Sequence, residues 1–154
     1  MTYLDELIAA CKLAKSACPT NEIVLKSVED IDSTMISGPA VYVIEDLSND
    51  LIATHQKLIQ YKATSTRKCP KINQPSKTMY VGSSQSSVSK RLKQHIGYGP
   101  RQTYALNLSF WFDGDFKIRI LTYDVSALVL QLVEDDLSHR LRPAFGKRGS
   151  NNRM

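Results

Sequence analysis

The chain has 154 residues, 42% hydrophobic and 23% charged, with a net charge of +5. That length and balance describe one domain with a single core and exclude a disordered chain, and no apolar run is long enough to cross a bilayer. The odd set Cys11, Cys18 and Cys69 has no metal-binding spacing; with acids where a secretory signal carries bases, this predicts a cytoplasmic protein.

The opening segment predicts a helix: Thr2 and Asp5 match a capping box, Leu4, Leu7, Ile8 and Cys11 share a face, and Pro19 stops it. "GPAVYVIE" (38–45) reads as a core strand after a Gly-Pro break. "SNDLIATHQKLIQY" has helical spacing of Leu51, Ile52, Leu58 and Ile59, with Ser48 as its N-cap. Residues 62–77, with two prolines and five bases, read as an exposed loop. "TMYVG" is the next strand, followed by a helix from Ser84–Ser87 to Gly97 and a loop, "YGPRQT". "YALNLSFWF" (104–112) alternates in a way that favours a strand, and "DGD" turns into a further strand, "FKIRILTY". "SALVLQLVEDDLSHRLRP" predicts a helix from Ser126 that ends before Pro143. The pattern is that of a mixed α/β domain around a small sheet.

Charge is unevenly placed along these elements. Residues 1–50 hold nine acids and three bases, whereas 51–112 hold ten Lys or Arg and no acid, and 137–154 hold five bases and no acid. A solvated basic surface is the bland interpretation. Two long acid-free stretches favour a polyanion, since each neutralised phosphate releases counterions. Nucleic acid fits better than an acidic membrane, because no basic stretch is strongly amphipathic.

Two places carry chemistry. In the helix after Gly82, Val88, Leu92 and Ile96 form an apolar stripe, and Arg91 and His95 stack one turn apart at its edge. A snorkelling arginine and a surface histidine are the ordinary alternative. In the last helix Leu130, Leu137 and Leu141 line up and Glu134 falls inside their stripe, while Asp135 and Asp136 point away. A carboxylate among leucines costs about several kcal/mol unless paired. It is either one half of an ion pair, for example with Arg91, or a metal ligand of the kind that holds Mg²⁺ with waters and a substrate phosphate.

"AVYVI" (40–44), "YVG" (80–82), "RLKQH" (91–95) and "VEDDLSHRLRP" (133–143) occur in the order and spacing of the GIY-YIG nuclease superfamily, which the chain resembles over residues 38–152. The resemblance implies an α+β fold, a small three-stranded antiparallel sheet flanked by helices. Residues 1–37 are then an N-terminal extension, and 46–78 a helix-loop insertion between the first two core strands. It implies Tyr42, Tyr80, Arg91, His95 and Glu134 as catalytic residues of a phosphodiester hydrolase, with Glu134 holding Mg²⁺, for which Mn²⁺ can substitute. Tyr42 would deprotonate or position the attacking water, assisted by His95. Tyr80 would hydrogen-bond nearby, and Arg91 would meet the non-bridging oxygens with its planar fork. Tyrosine is a poor base at its ordinary pKa, so cationic Arg91 and His95 are expected to lower that of Tyr42.

The chain departs from the family pattern at Ala40, which replaces a glycine, in the long insertion, and after Pro143, where Gly146 lies in the region of the family asparagine. The expected function is a Mg²⁺-dependent endonuclease on double-stranded DNA, of the compact restriction type, with a homodimer compatible with the sequence. Expected DNA contacts are Arg67, Lys68, Lys71, Lys90, Lys93, Arg101, Lys147, Arg148 and Asn151. The alternatives are a repair or junction-resolving nuclease that needs a partner, and a non-catalytic nucleic-acid-binding module.

Overall fold

The computed structural model describes residues 1–34 and 36–147. Arg148 and Asn151, two of the expected DNA contacts, lie outside the described residues. Among the described residues five helices and four strands follow one another as α1 (Tyr3–Ser16), β1 (Asn21–Leu25), α2 (Val28–Ser33), β2 (Ala40–Asp46), α3 (Leu51–Thr64), β3 (Thr78–Ser84), α4 (Val88–Lys93), β4 (Phe116–Thr122) and α5 (Ala127–Leu141). A π-helical turn, Gln94–Tyr98, continues α4, and a single 3₁₀ turn, Leu108–Phe110, precedes β4.

The sheet is antiparallel with strand order β1-β4-β2-β3, so it has four strands where three were expected. The additional strand comes from the segment read as an extension: Asn21 pairs with Thr122 and Leu25 with Ile118. Leu25 and Ile31 from that segment are buried in the main core. "NEIVL" gave no strand signal because only Leu25 of its five residues is buried.

β2 is central and covered on both faces, which is why Ala40–Ile44 is a continuous apolar run rather than an alternating one. Tyr42 and Ile44 face a core shared with Leu58 of α3 and Leu92 of α4. Val41 and Val43 face the other way, against Leu130 of α5. α1 lies against α5 and buries Ala10. The face predicted to be its buried one is instead outside: Leu4 is 64% and Ile8 55% exposed, and Cys11 is exposed. Of the predicted face only Leu7 is half-buried, and the one fully buried residue of α1 is Ala10.

Local capping chemistry explains most boundaries. The Thr2–Asp5 capping box forms as predicted, and Ser126 caps α5 by accepting the Val129 N–H. At α3 the cap is Asp50, which accepts from Ala53 N, and not Ser48. Ser48 donates its N–H to Asp46 in the preceding turn. The 104–112 segment is not a strand. Asn107 takes left-handed backbone angles (φ 56°, ψ 44°) and breaks any extended run, and Tyr104 and Phe110 are 59% and 52% exposed.

Candidate active site

β2 and β3 place two tyrosines side by side. Tyr42 pairs with Gly82 and Ile44 with Tyr80, so the two rings share the α4 side of the sheet, with centroids 6.2 Å apart and planes within 11°. Glycine is required beneath each ring. A Cβ at position 82 would fall inside contact distance of Tyr42 Oη and Cζ, and one at Gly146 would reach 2.7 Å from Tyr80 Cε2. Gly146 also has φ +95°, which only glycine takes without strain.

α4 delivers the cation and the imidazole. Arg91 Nη2 donates to Tyr80 Oη (3.3 Å) and to the Tyr104 carbonyl (2.8 Å), and Nη1 donates to Gln94 Oε1 (2.9 Å). His95 was expected at the edge of the buried face. It is fully buried, because the helix widens into a π turn from Gln94 onward and carries the ring inward. His95 Nε2 lies 2.9 Å from Tyr42 Oη, and its ring centroid is 4.3 Å from that of Tyr80.

The histidine's other nitrogen fixes its chemistry. Leu106 donates its backbone N–H to His95 Nδ1 at 3.1 Å. An N–H can only donate, so Nδ1 is an acceptor and the neutral ring carries its hydrogen on Nε2. His95 therefore donates to Tyr42. Burial pushes the His95 pKa well below the ordinary histidine value, with Arg91 adding to the effect, so it is not the cation expected from sequence. Nor is Tyr42 made acidic. Burial raises its pKa well above the ordinary tyrosine value, Tyr80 adds to the rise, and the opposing pull of Arg91 does not offset them. Burial likewise raises that of Tyr80, again against Arg91.

Glu134 approaches from α5, where Leu130, Glu134 and Ser138 form the buried stripe, while Leu137 and Leu141 are half-buried. It is 3% exposed. Burial raises its pKa, opposed by Lys147 and by hydrogen bonds from Gln131 and Ser83. Gln131 Nε2 donates to Glu134 Oε2 at 2.8 Å and to Asp135 at 2.9 Å, and Lys147 Nζ is 3.8 Å from Oε2. The ion pair with Arg91 considered from sequence does not form; the cation beside Glu134 is Lys147. The Glu134 charge also raises the pKa of both tyrosines, a smaller influence than their burial. Among the described residues no three His, Cys, Asp or Glu side chains form a ligand cluster. A buried lone carboxylate fits Mg²⁺, whose shell is completed by waters and phosphate oxygens, better than a metal that needs an all-protein cage.

The expected DNA contacts fall into three groups. Lys68, Lys71, Lys90 and Arg101 are exposed, and Lys68 Nζ sits 5.1 Å from the Tyr104 ring centroid, close to Arg91. Lys93 pairs with Asp32 at 2.9 Å, and Lys147 turns toward Glu134. Arg67 faces inward, with its guanidinium on Asn107, two backbone carbonyls and the Phe110 ring. Sequence reasoning missed Gln131, Lys147 as the partner of Glu134, and the Leu106 amide. The last is a backbone group and leaves no side-chain signal. No family model matches the chain, and no curated protein or solved structure is significantly similar to it.

Proposed function

We propose that this chain is a Mg²⁺-dependent endonuclease of the GIY-YIG type that cleaves double-stranded DNA, in the manner of a compact restriction enzyme. The observation that carries this reading is the convergence of Tyr42, Tyr80, Arg91 and His95, from three separate elements, into one network of hydrogen bonds and ring contacts. A core has no need of a guanidinium and three polar rings in one place. Phosphodiester hydrolysis does need a held water, a cation for the non-bridging oxygens and a group that tolerates developing negative charge.

The chain's own residues divide that work. The Nε2–H of His95 points at Tyr42 Oη, so it stabilises the phenolate form in which Tyr42 can accept a proton from the attacking water. The proton of the attacking water then passes to that phenolate oxygen, which leaves the water as the nucleophile and Tyr42 protonated. Arg91, half-buried and anchored by Gln94 and the Tyr104 carbonyl, presents its fork to the phosphate. Glu134 would hold Mg²⁺, which when bound supplies charge neutralisation on the phosphate and the leaving oxygen. Exposed Tyr104, whose carbonyl holds Arg91, and Lys68 over its ring are candidates to grip the DNA backbone, with exposed Arg101 on the loop that Lys68 binds.

Nicking of supercoiled plasmid should appear with Mg²⁺ and vanish with EDTA. A panel of duplex, branched DNA and RNA substrates separates restriction-type from junction-resolving activity. Salt-sensitive DNA binding without any cleavage would leave a non-catalytic module.

A further inference from the structure

We propose that Arg67 and Asn107 form a positioning pair that locks His95 in its Nε2–H tautomer, and so fixes the direction of the Tyr42–His95 hydrogen bond. The bearing of this on cleavage rests on the nuclease reading; the tautomer itself does not.

Arg67 enters from the insertion between β2 and β3 and reaches the two loops that flank the buried histidine. Its Nε donates to Asn107 Oδ1 at 3.0 Å, and its Nη2 donates to the Gly97 carbonyl at 3.3 Å and to the Gly99 carbonyl. The Phe110 ring lies against the guanidinium, 4.9 Å from Cζ to centroid. One side chain thus ties the chain leaving the π turn to the chain entering the 3₁₀ turn.

Asn107 is the receiving half. It is 1% exposed, and its Nδ2 donates to the Ala105 carbonyl at 2.9 Å and the Lys68 carbonyl at 3.3 Å. Its left-handed backbone is strained for most residues and less so for asparagine, and these side-chain bonds hold it there. The consequence falls on the preceding peptide. Leu106 is fully buried, its carbonyl accepts from Trp111 Nε1 at 2.7 Å, and its N–H is aimed at His95 Nδ1.

Without that N–H, nothing would forbid a proton on Nδ1. The imidazole could then accept from Tyr42 at Nε2, and Tyr42 would lose the donor that stabilises its phenolate. A half-buried arginine with three such bonds is spent on this task and not on DNA.

The test labels histidine with ¹⁵N in the full chain and reads long-range ¹H–¹⁵N correlations of His95 in wild type, Arg67→Met and Asn107→Gly. Glycine takes the left-handed conformation freely, so Asn107→Gly removes the side-chain bonds alone. Wild type should show a single Nε2–H ring and both variants should populate Nδ1–H. Turnover should fall by about a hundredfold at unchanged DNA affinity. Arg67→Lys should rescue neither readout, since one ammonium cannot span the three acceptors. An Nδ1–H wild type, or folded variants that keep Nε2–H, would overturn the pair. Loss of DNA affinity in Arg67→Met with the tautomer intact would overturn it too, in favour of a DNA contact. If Asn107→Gly does not fold, Arg67→Met decides; if neither folds, the pair is a folding element and the proposal falls. Should wild type never nick DNA, the nuclease reading fails while the tautomer still decides this one.

Discussion

Tyr42, Tyr80 and His95 lie on one face of the sheet as buried neutral rings with Arg91 bonded to Tyr80, whereas Glu134 comes from the helix on the other face, buried between Leu130 and Ser138. Both are buried, yet their acid–base signs are opposite. His95 has a depressed pKa, so its contribution to stability is fully present above the ordinary value of about 6.5 and is lost as pH falls from there through the folded value. Glu134 has a raised pKa, so its contribution is present below the ordinary 4.5 and is lost as pH rises through the folded value. Near neutrality the histidine side is content as it stands, and the glutamate side is under load. The two sides thus answer acid in opposite directions, and the cation beside the carboxylate, Lys147, does not offset its burial.

The comparison breaks most sharply at Glu134. Glu134→Gln should abolish plasmid nicking and spare DNA binding. Without metal at pH 7 its melting temperature should equal or exceed that of wild type, by up to about 1 kcal/mol in stability. The excess should disappear on acidification toward pH 4.5, following the sign above. Asp135→Asn and Asp136→Asn should leave both readouts nearly unchanged, since Asp135 shares only Gln131 and Asp136 bridges to Arg140 on the surface. A destabilised, active Glu134→Gln would make the glutamate structural.

Arg91→Ala comes next, with turnover lower by about a thousandfold and DNA affinity nearly intact, because the guanidinium matters most as charge builds on phosphorus. Arg91→Lys should recover little. Titration of binding by anisotropy beside single-turnover nicking checks both. If Arg91→Ala unfolds, its hydrogen bonds to Tyr80 and the Tyr104 carbonyl are structural ones.

Tyr42→Phe should fold and lose about a hundredfold in rate, as only a hydroxyl leaves. In wild type, kcat/KM should keep climbing beyond pH 9, because burial holds the Tyr42 pKa well above its ordinary 10. A plateau near pH 7 would instead point to a group other than Tyr42 as the proton acceptor.

How far these two sides were visible before folding differs for a physical reason. Glu134 stood out because a helix writes its faces into the sequence at fixed spacing, and a carboxylate among leucines breaks that pattern. Tyr42, Tyr80, Arg91 and His95 were legible from motif order, but their protonation was not. The expected cationic His95 is neutral because a π turn and the Leu106 amide, neither of which leaves a periodic signature, bury it and occupy Nδ1. β1 escaped notice because its partner lies about a hundred residues away and its own residues are mostly exposed. Residues 104–112 misled in the opposite direction, as alternation there reflects Leu106 and Leu108 plugging the core from an irregular loop. Arg67 read as one base among many, and only the fold turns it inward.

The smallest expected effect concerns the basic surface, where the fold sharpens the choice of residues. Arg67 and Lys147 are committed to protein contacts and Lys93 to Asp32, which leaves Lys68, Lys71, Lys90 and Arg101 exposed; of these, Lys68 and Lys71 lie on the insertion and Arg101 on the loop that Lys68 binds through its backbone. Replacing Lys68, Lys71 and Arg101 together by glutamine should leave the melting temperature unchanged, because the three side chains are exposed and Lys68 and Arg101 meet their neighbours mainly through backbone atoms. Duplex affinity should weaken several-fold at moderate salt. The slope of log K against log salt should flatten by about 0.9 for each phosphate that is no longer neutralised, or about 2.7 if all three side chains touch phosphate. Turnover at saturating DNA should hold, since none of the three belongs to the Tyr42–His95 network. An unchanged slope would make these residues a solubilising surface and move the DNA path elsewhere. A collapse of turnover at unchanged slope would place Lys68 inside the site through Tyr104, joining the basic surface to the catalytic side of the comparison.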